Sequence, residues 1–339
     1  MTELTQIKKG SQRDCYIDFL RGFGLLMLVV AHTWAPVTLA SIRTFDVPLM
    51  VFVSAICYKP IKLDSISLIK YWKKRFLRIY CPVFVFLLLL FLGCQVYYAF
   101  TVSITITPIQ FIGSFALLNY PSIGYVWIMR VFLMIALVLP FIFHITNNTN
   151  FYLIVFTLIG IISFQEWLIP SIDSIPYKAI RYSLSQTIVY IVGYSLFSIL
   201  GIIVNKCKNI HLIILLVVSA IGCLIYFLQT GNMLPQEDKY PPHALYLLYG
   251  WFGCCFMFVI RPWLLWLAKW GFWGYLSKNS MWLYLWHIIP VMCITPQSSR
   301  PEFWLERYVL VLAGALLLNL IYQFFINKLP NNFKKYLKS

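Results

Sequence analysis

Arg21 and His32 stand eleven residues apart in an apolar stretch that opens at Tyr16. At ~3.6 residues per turn and ~1.5 Å per residue, eleven residues make three helical turns plus ~20°, so the two side chains share one face, about 16 Å apart along the axis. An imidazole with an ordinary pKa of about 6.5 can take a proton from a hydroxyl, or carry an acyl group itself. Ionisable groups are costly in lipid and by default mark a polar path or a reaction site. The plainer reading is a histidine bonded to a neighbouring helix and an arginine that snorkels to the nearer interface. On this segment alone the two readings balance.

A second set lies between Lys59 and Arg78, with seven basic residues against a single acid, Asp64. Arg75 and Arg78 are three apart, so in a helical turn they face the same way and can clamp one polyanion. Juxtamembrane basic runs also set topology and bind anionic lipid without any specific ligand. Further on, Trp127 and Arg130 open one apolar segment, Lys239-Tyr240-Pro241-Pro242-His243 opens another, and Trp286-His287 sits in a third. Prolines at helix starts and aromatic residues at interfaces are ordinary and carry no chemistry by themselves. The chain has no Walker loop, GxSxG or HExxH, which removes the usual support for nucleotide hydrolysis and the common hydrolase designs. Nine cysteines without a CxxC or a spaced Cys/His set predict neither a disulfide framework nor a metal site.

The elements that must position these groups follow from composition. Of 339 residues, 61% are hydrophobic and 11% charged, with a mean hydropathy of +0.79, whereas about a quarter of a soluble domain is charged. The apolar runs between Phe19 and Ile326 are continuous rather than alternating, which predicts helices and not barrel strands. The expected fold is all-α, a polytopic integral membrane bundle of about ten transmembrane helices. They are placed over 16–37, 44–58, 79–100, 126–143, 151–168, 184–204, 210–228, 244–260, 278–295 and 306–326. One membrane domain, 16–328, is expected between an N-terminal segment, 1–15, and a basic tail, 329–339, with a basic loop over 59–78. The first run lacks a small-residue cleavage site and holds Arg21 and His32, so it is expected to remain as a helix.

Ten spans put both termini on one side, together with 20 of the 27 basic residues. The other seven, Arg43, Arg130, Lys178, Arg181, Lys239, Arg300 and Arg307, fall toward the opposite face, interleaved with Asp46, Asp173, Glu237, Asp238, Glu302 and Glu306. The positive-inside rule then places both termini in the cytoplasm. The net charge of +16 is read as a topology signal and not as a nucleic-acid footprint. Residues 101–125 contain no charge and are expected to lie at the interface or re-enter the outer face.

Taken in order, several of these stretches resemble the acyltransferase family 3 membrane proteins, which O-acylate bacterial cell-surface glycans. The likeness begins at Tyr16-Ile17-Asp18-Phe19-Leu20-Arg21-Gly22 and runs to Ala31-His32, similar to the family's motif of arginine, ten residues and histidine. It continues through Pro48 to Ser54, the Arg75–Arg78 pair with Ile79 and Pro82, Trp127 to Pro140, Tyr240-Pro241-Pro242, and Leu276-Ser277 to Tyr284-Leu285-Trp286-His287. Many longer relatives carry a glutamate shortly after the tryptophan where this chain reads Trp127-Ile128-Met129-Arg130, so no role for that carboxylate carries over. The fused extracytoplasmic hydrolase-like domain of some relatives is not expected here.

The resemblance implies that His32 is catalytic, that Arg21 is essential and that Arg75 and Arg78 contact an acyl-CoA, with acetyl-CoA the expected donor. It implies a multi-pass protein of the bacterial plasma membrane, surrounded by lipid. The acceptor would be a saccharide of a capsule, exopolysaccharide, O-antigen or peptidoglycan, with the first two favoured. Trp127, Arg130, Lys239 and Tyr240 are the candidate saccharide contacts at the outer mouth. His32 would need an orienting partner, for which Asp46, Glu166, Asp173, Glu237 and Asp238 are candidates. Two rival readings remain, a transporter or flippase of a lipid-linked saccharide in which the same charges line a path, and a non-catalytic scaffold. The oligomeric state is open.

Overall fold

The computed structural model describes residues 14–101, 107–294, 301–328 and 330. Lys8, Lys9, Arg13, Arg300, Lys334, Lys335 and Lys338, on which the predicted orientation partly rests, lie outside the described residues, as does most of the predicted basic tail. Among the described residues every regular element is helical. In chain order the α-helices are α1 Cys15–Val30, α2 Val37–Ile42, α3 Asp46–Ile56, α4 Ser65–Thr101, α5 Pro108–Phe115, α6 Trp127–Thr146, α7 Phe151–Asp173 and α8 Lys178–Ile203. They continue with α9 Asn209–Thr230, α10 Ala244–Val259, α11 Arg261–Ala268, α12 Gly271–Trp286, α13 Ile288–Cys293 and α14 Trp304–Ile326.

Seven of the described spans are long and apolar enough to cross a membrane, or eight when α10 and α11, bent by 72°, count as one broken span. Pro262 explains that break, because proline suits the first turn of a new helix and cannot continue the hydrogen bonding of the old one. The span that includes α8 is 72% buried, whereas that of α9 is 17% and that of α14 is 22%. Hence α8 forms the centre, and α9 and α14 present side chains such as Leu228, Leu310 and Phe325 outward. An apolar surface of that extent is unsuited to water and matches the hydrocarbon of a bilayer.

Four boundaries depart from the sequence expectation. The first helix ends at Val30, not at residue 37, and the chain turns through residues 31–34. Trp34 there has φ 52°, and Pro36 prevents a helix from running through this point. The second span starts at Val37 and passes from α2 through a 3-10 turn into α3. The expected basic loop is helical from Ser65 onward, because Asp64 caps it with a 2.9 Å hydrogen bond accepted from the Ser67 amide. That backbone bond also holds the Asp64 carboxyl below its ordinary range, so the cap is charged at neutral pH. Last, α12 opens at Gly271 and ends at Trp286, where residues 278–295 were expected. Residues 107–125 contain one short helix, α5, capped by Thr107.

At 16 residues each, α1 and α12 are about 24 Å long, short of a ~30 Å hydrocarbon core. They lie against each other. A Cβ added to Gly22 would stand 2.9 Å from the Trp273 ring and 3.2 Å from Leu276. Phe19 meets Trp273 edge-on at 4.7 Å, and Ser277 Oγ donates a 2.8 Å bond to the buried Asp18 carboxylate. The same need for a small residue recurs where α8 crosses α3, since a Cβ on Gly201 would lie 2.4 Å from the Phe52 carbonyl oxygen. Gly201→Ala should therefore lower the melting temperature in detergent, with an overpacking cost of about 1–3 kcal/mol. Gly160→Ala, whose added Cβ meets nothing within 4 Å, should leave it unchanged or raise it; equal melting temperatures for the two variants would contradict the close crossing.

Candidate active site

A cavity of about 870 Å³ opens at the basic end of the bundle. One face of α4 supplies Ser67, Lys70, Tyr71, Lys74, Arg75 and Arg78, the i, i+3, i+4, i+7, i+8, i+11 stripe of a single helix face. Lys59 and Lys62 precede that stripe, Arg21 joins from α1 and Lys278 from α12, which makes eight basic side chains and no acidic one in the lining. The Arg75 guanidinium lies over the Tyr71 ring at 5.4 Å, and that ring meets Tyr58 edge-on at 5.7 Å. Trp72 ties α4 to α6 by donating to the Leu137 carbonyl. From α6, Phe132, Ile135, Ala136 and Leu139 form the facing apolar wall. The cavity therefore offers cations on one side and aliphatic surface on the other.

At the opposite end, His32 lies in the turn that follows α1, with its amide bonded to the Val29 carbonyl at 3.0 Å. Arg307 of α14 fixes that turn from outside. Its Nε donates a 3.1 Å bond to the Thr33 carbonyl, and its guanidinium lies over the Trp34 ring at 5.3 Å. The His32 ring meets Tyr125 edge-on at 4.9 Å and stands 5.3 Å from the ring of His287. Tyr284 and Tyr125 are joined by a hydrogen bond from the Tyr284 hydroxyl to the Tyr125 carbonyl.

Around this pair lies a buried charge cluster. Asp46 accepts from Arg43 at 2.5 Å and stands 3.5 Å from the Lys239 ammonium, all three side chains being 3% exposed or less. Burial pushes the Lys239 ammonium down to about 8, against the opposing pull of the Asp46 carboxylate. Arg43 and Lys239 both lie within electrostatic reach of His32. Beside them Trp127 packs edge-on against Tyr240 at 5.1 Å and against Tyr190 at 5.9 Å. Arg130 sits over Tyr190 and bonds Gln186 at 2.6 Å, while its Nε and one terminal nitrogen are buried without a partner.

The structure thus gathers Arg21, Arg75 and Arg78 in one cavity and sets His32 apart, about three helical turns from Arg21 and outside that cavity's lining. Trp127, Arg130 and Tyr240 form a neighbouring group, in which Tyr240 is exposed. Lys239 faces inward to Asp46 rather than toward an open surface. None of the carboxylates expected to orient His32 does so among the described residues: Asp46 holds Arg43 and Lys239, and Glu166 holds His243 at 3.2 Å and the Ala244 amide. The place beside His32 belongs to His287, which spacing alone left as one polar residue in an aromatic helix. The Arg307 latch was equally hidden, because it joins residues 274 positions apart.

No group of three or more His, Cys, Asp or Glu among the described residues is placed to hold a metal ion. No curated protein and no solved structure matches the chain significantly. The family model described as an acyltransferase domain matches residues 15–324, nearly the whole chain. The pieces that carried the resemblance are the ones that touch: Asp18 and Gly22 with Ser277 and Leu276, and His32 with His287. With a multi-pass helical fold and a family model spanning both ends of its bundle, the chain belongs to this membrane acyltransferase family.

Proposed function

We propose that the protein moves an acyl group, acetyl in the first instance, from cytoplasmic acyl-CoA to a hydroxyl of a cell-surface or lipid-linked saccharide at the bacterial plasma membrane. The observation that carries this reading is the cavity with eight basic residues on its lining and an aliphatic wall along α6. Guanidinium groups match phosphate oxygens in charge and geometry. A volume of about 870 Å³ is within the range of sites that hold cofactor-sized molecules, roughly 300–1,000 Å³. The phosphates of the donor would meet Arg75, Arg78 and Arg21, and its slender pantetheine arm would follow the α6 wall toward His32.

At the other end a saccharide hydroxyl would approach His32, with the exposed Tyr240 ring, backed by the buried Trp127, as a stacking surface and the unpartnered nitrogens of Arg130 as donors to it. His32 takes the hydroxyl proton as the oxygen attacks the thioester carbon. A C–O bond forms, the C–S bond breaks, and the proton passes from the imidazolium to the departing thiolate, so that CoA leaves as the thiol. Arg307 holds the backbone of the turn on which His32 sits, which keeps the ring in place for the transfer.

Arg75→Ala and Arg78→Ala should each raise the KM for acetyl-CoA by about 10- to 100-fold, the worth of one charge-assisted hydrogen bond, with little change in melting temperature. An unchanged KM in both would remove the donor from this cavity. The direct test is mass spectrometry of the surface polysaccharide from cells that lack the protein. O-acyl groups should vanish, return with the native chain and stay absent with a well-expressed His32→Ala. Acylation unchanged throughout, with reduced glycan export, would favour a transporter.

A further inference from the structure

His287 is completely buried and closes α12 as its C-terminal cap. Its Nδ1 is bonded to the Tyr284 carbonyl one turn earlier. A carbonyl oxygen can only accept, so Nδ1 carries the proton and Nε2 of the neutral ring holds a lone pair. That Nε2 is buried and has no partner. A buried, unpaired acceptor costs free energy, and the ring of His32 lies beside that of His287, 5.3 Å away between centroids and inclined by 32°. Two imidazoles joined edge to edge by one N–H···N bond of ~2.9 Å stand about 5 Å apart between centroids.

We infer that His287 is a positioning residue for His32: its fixed lone pair accepts the hydrogen bond of the His32 N–H, leaving the other His32 nitrogen free to take the proton of the acceptor. The arrangement does for His32 what a carboxylate commonly does for a catalytic histidine, and it uses a neutral group. A neutral partner suits this site, since the one carboxylate in the nearby cluster, Asp46, is already held by Arg43 and Lys239. Tyr284 supplies the anchoring carbonyl, and its hydroxyl is tied to Tyr125, the ring that meets His32 edge-on. The histidine pair and the two tyrosines thus form one frame. His287 gains and loses no proton over the cycle.

This inference rests on the transferase reading, and two amide substitutions test it. His287→Asn places a nitrogen where Nδ1 is, so it keeps the bond to Tyr284 and removes the acceptor facing His32. His287→Gln reaches the Nε2 position and can present an amide oxygen there. The assay follows transfer from radiolabelled acetyl-CoA to the glycan fraction of cells lacking the protein, by purified native or variant protein in membranes of defined lipid. Relative to native, His287→Asn should lower the maximal rate by about 10- to 100-fold with the KM for acetyl-CoA and the melting temperature unchanged. His287→Gln should recover most of that loss. A His287→Asn variant as fast as native, or rate losses that follow the melting temperature in both variants, would overturn the inference while the transferase reading stands. A native protein without transfer activity would overturn both.

Discussion

The close pairing of α1 with α12 is the contact on which both ends of the molecule depend. It requires glycine at position 22, where any Cβ would press on Trp273 and Leu276, and it is fastened by the Ser277–Asp18 hydrogen bond. Between membrane helices there is no hydrophobic drive to associate, because lipid is as apolar as the side chains. Close backbone approach and buried polar bonds supply the attraction instead. Once the two helices are fixed in register, Arg21 and Lys278 come to one cavity, and His32 and His287 come together where the two helices end.

That both helices are short is itself part of the design. Non-helical backbone in a membrane is tolerated only where protein or a polar cavity satisfies it, and here Thr33 and His287, at the breaks after Val30 and Trp286, are completely buried. Arg307 satisfies the Thr33 carbonyl at the first break, and the His287 ring satisfies the Tyr284 carbonyl at the second. Each break releases a histidine from a helical face into a constrained turn or cap.

Much of this was legible in the sequence. The apolar runs marked the membrane helices because lipid demands length and low charge, and the Arg75–Arg78 spacing predicted a shared face because helical geometry is local. The cation stripe from Lys70 to Arg78 follows from the same local rule once Asp64 is seen as a helix cap instead of a lone acid in a loop. What escaped reading were contacts set by tertiary packing. His287 lies 255 positions from His32, Arg307 lies 274 from Thr33, and Asp46 finds Lys239 across 193. Nothing in spacing distinguishes such residues from ordinary interfacial aromatics and basic anchors.

The separation between the two ends also constrains the chemistry. Arg21 and His32 are on one helix and its closing turn, so their spacing is set by the rise of α1, about 16 Å for eleven residues, and cannot drift as loops would. On the proposed function, a donor bound by its phosphates at the basic end would have to be long and narrow to present a reacting carbon beside His32, and the apolar strip of Phe132, Ile135 and Leu139 would favour a chain that carries no charge along that length. A compact anion would fill the cavity without reaching the histidine. Selection of the donor would then come from α1 acting as a ruler, with affinity supplied at one end and reactivity at the other.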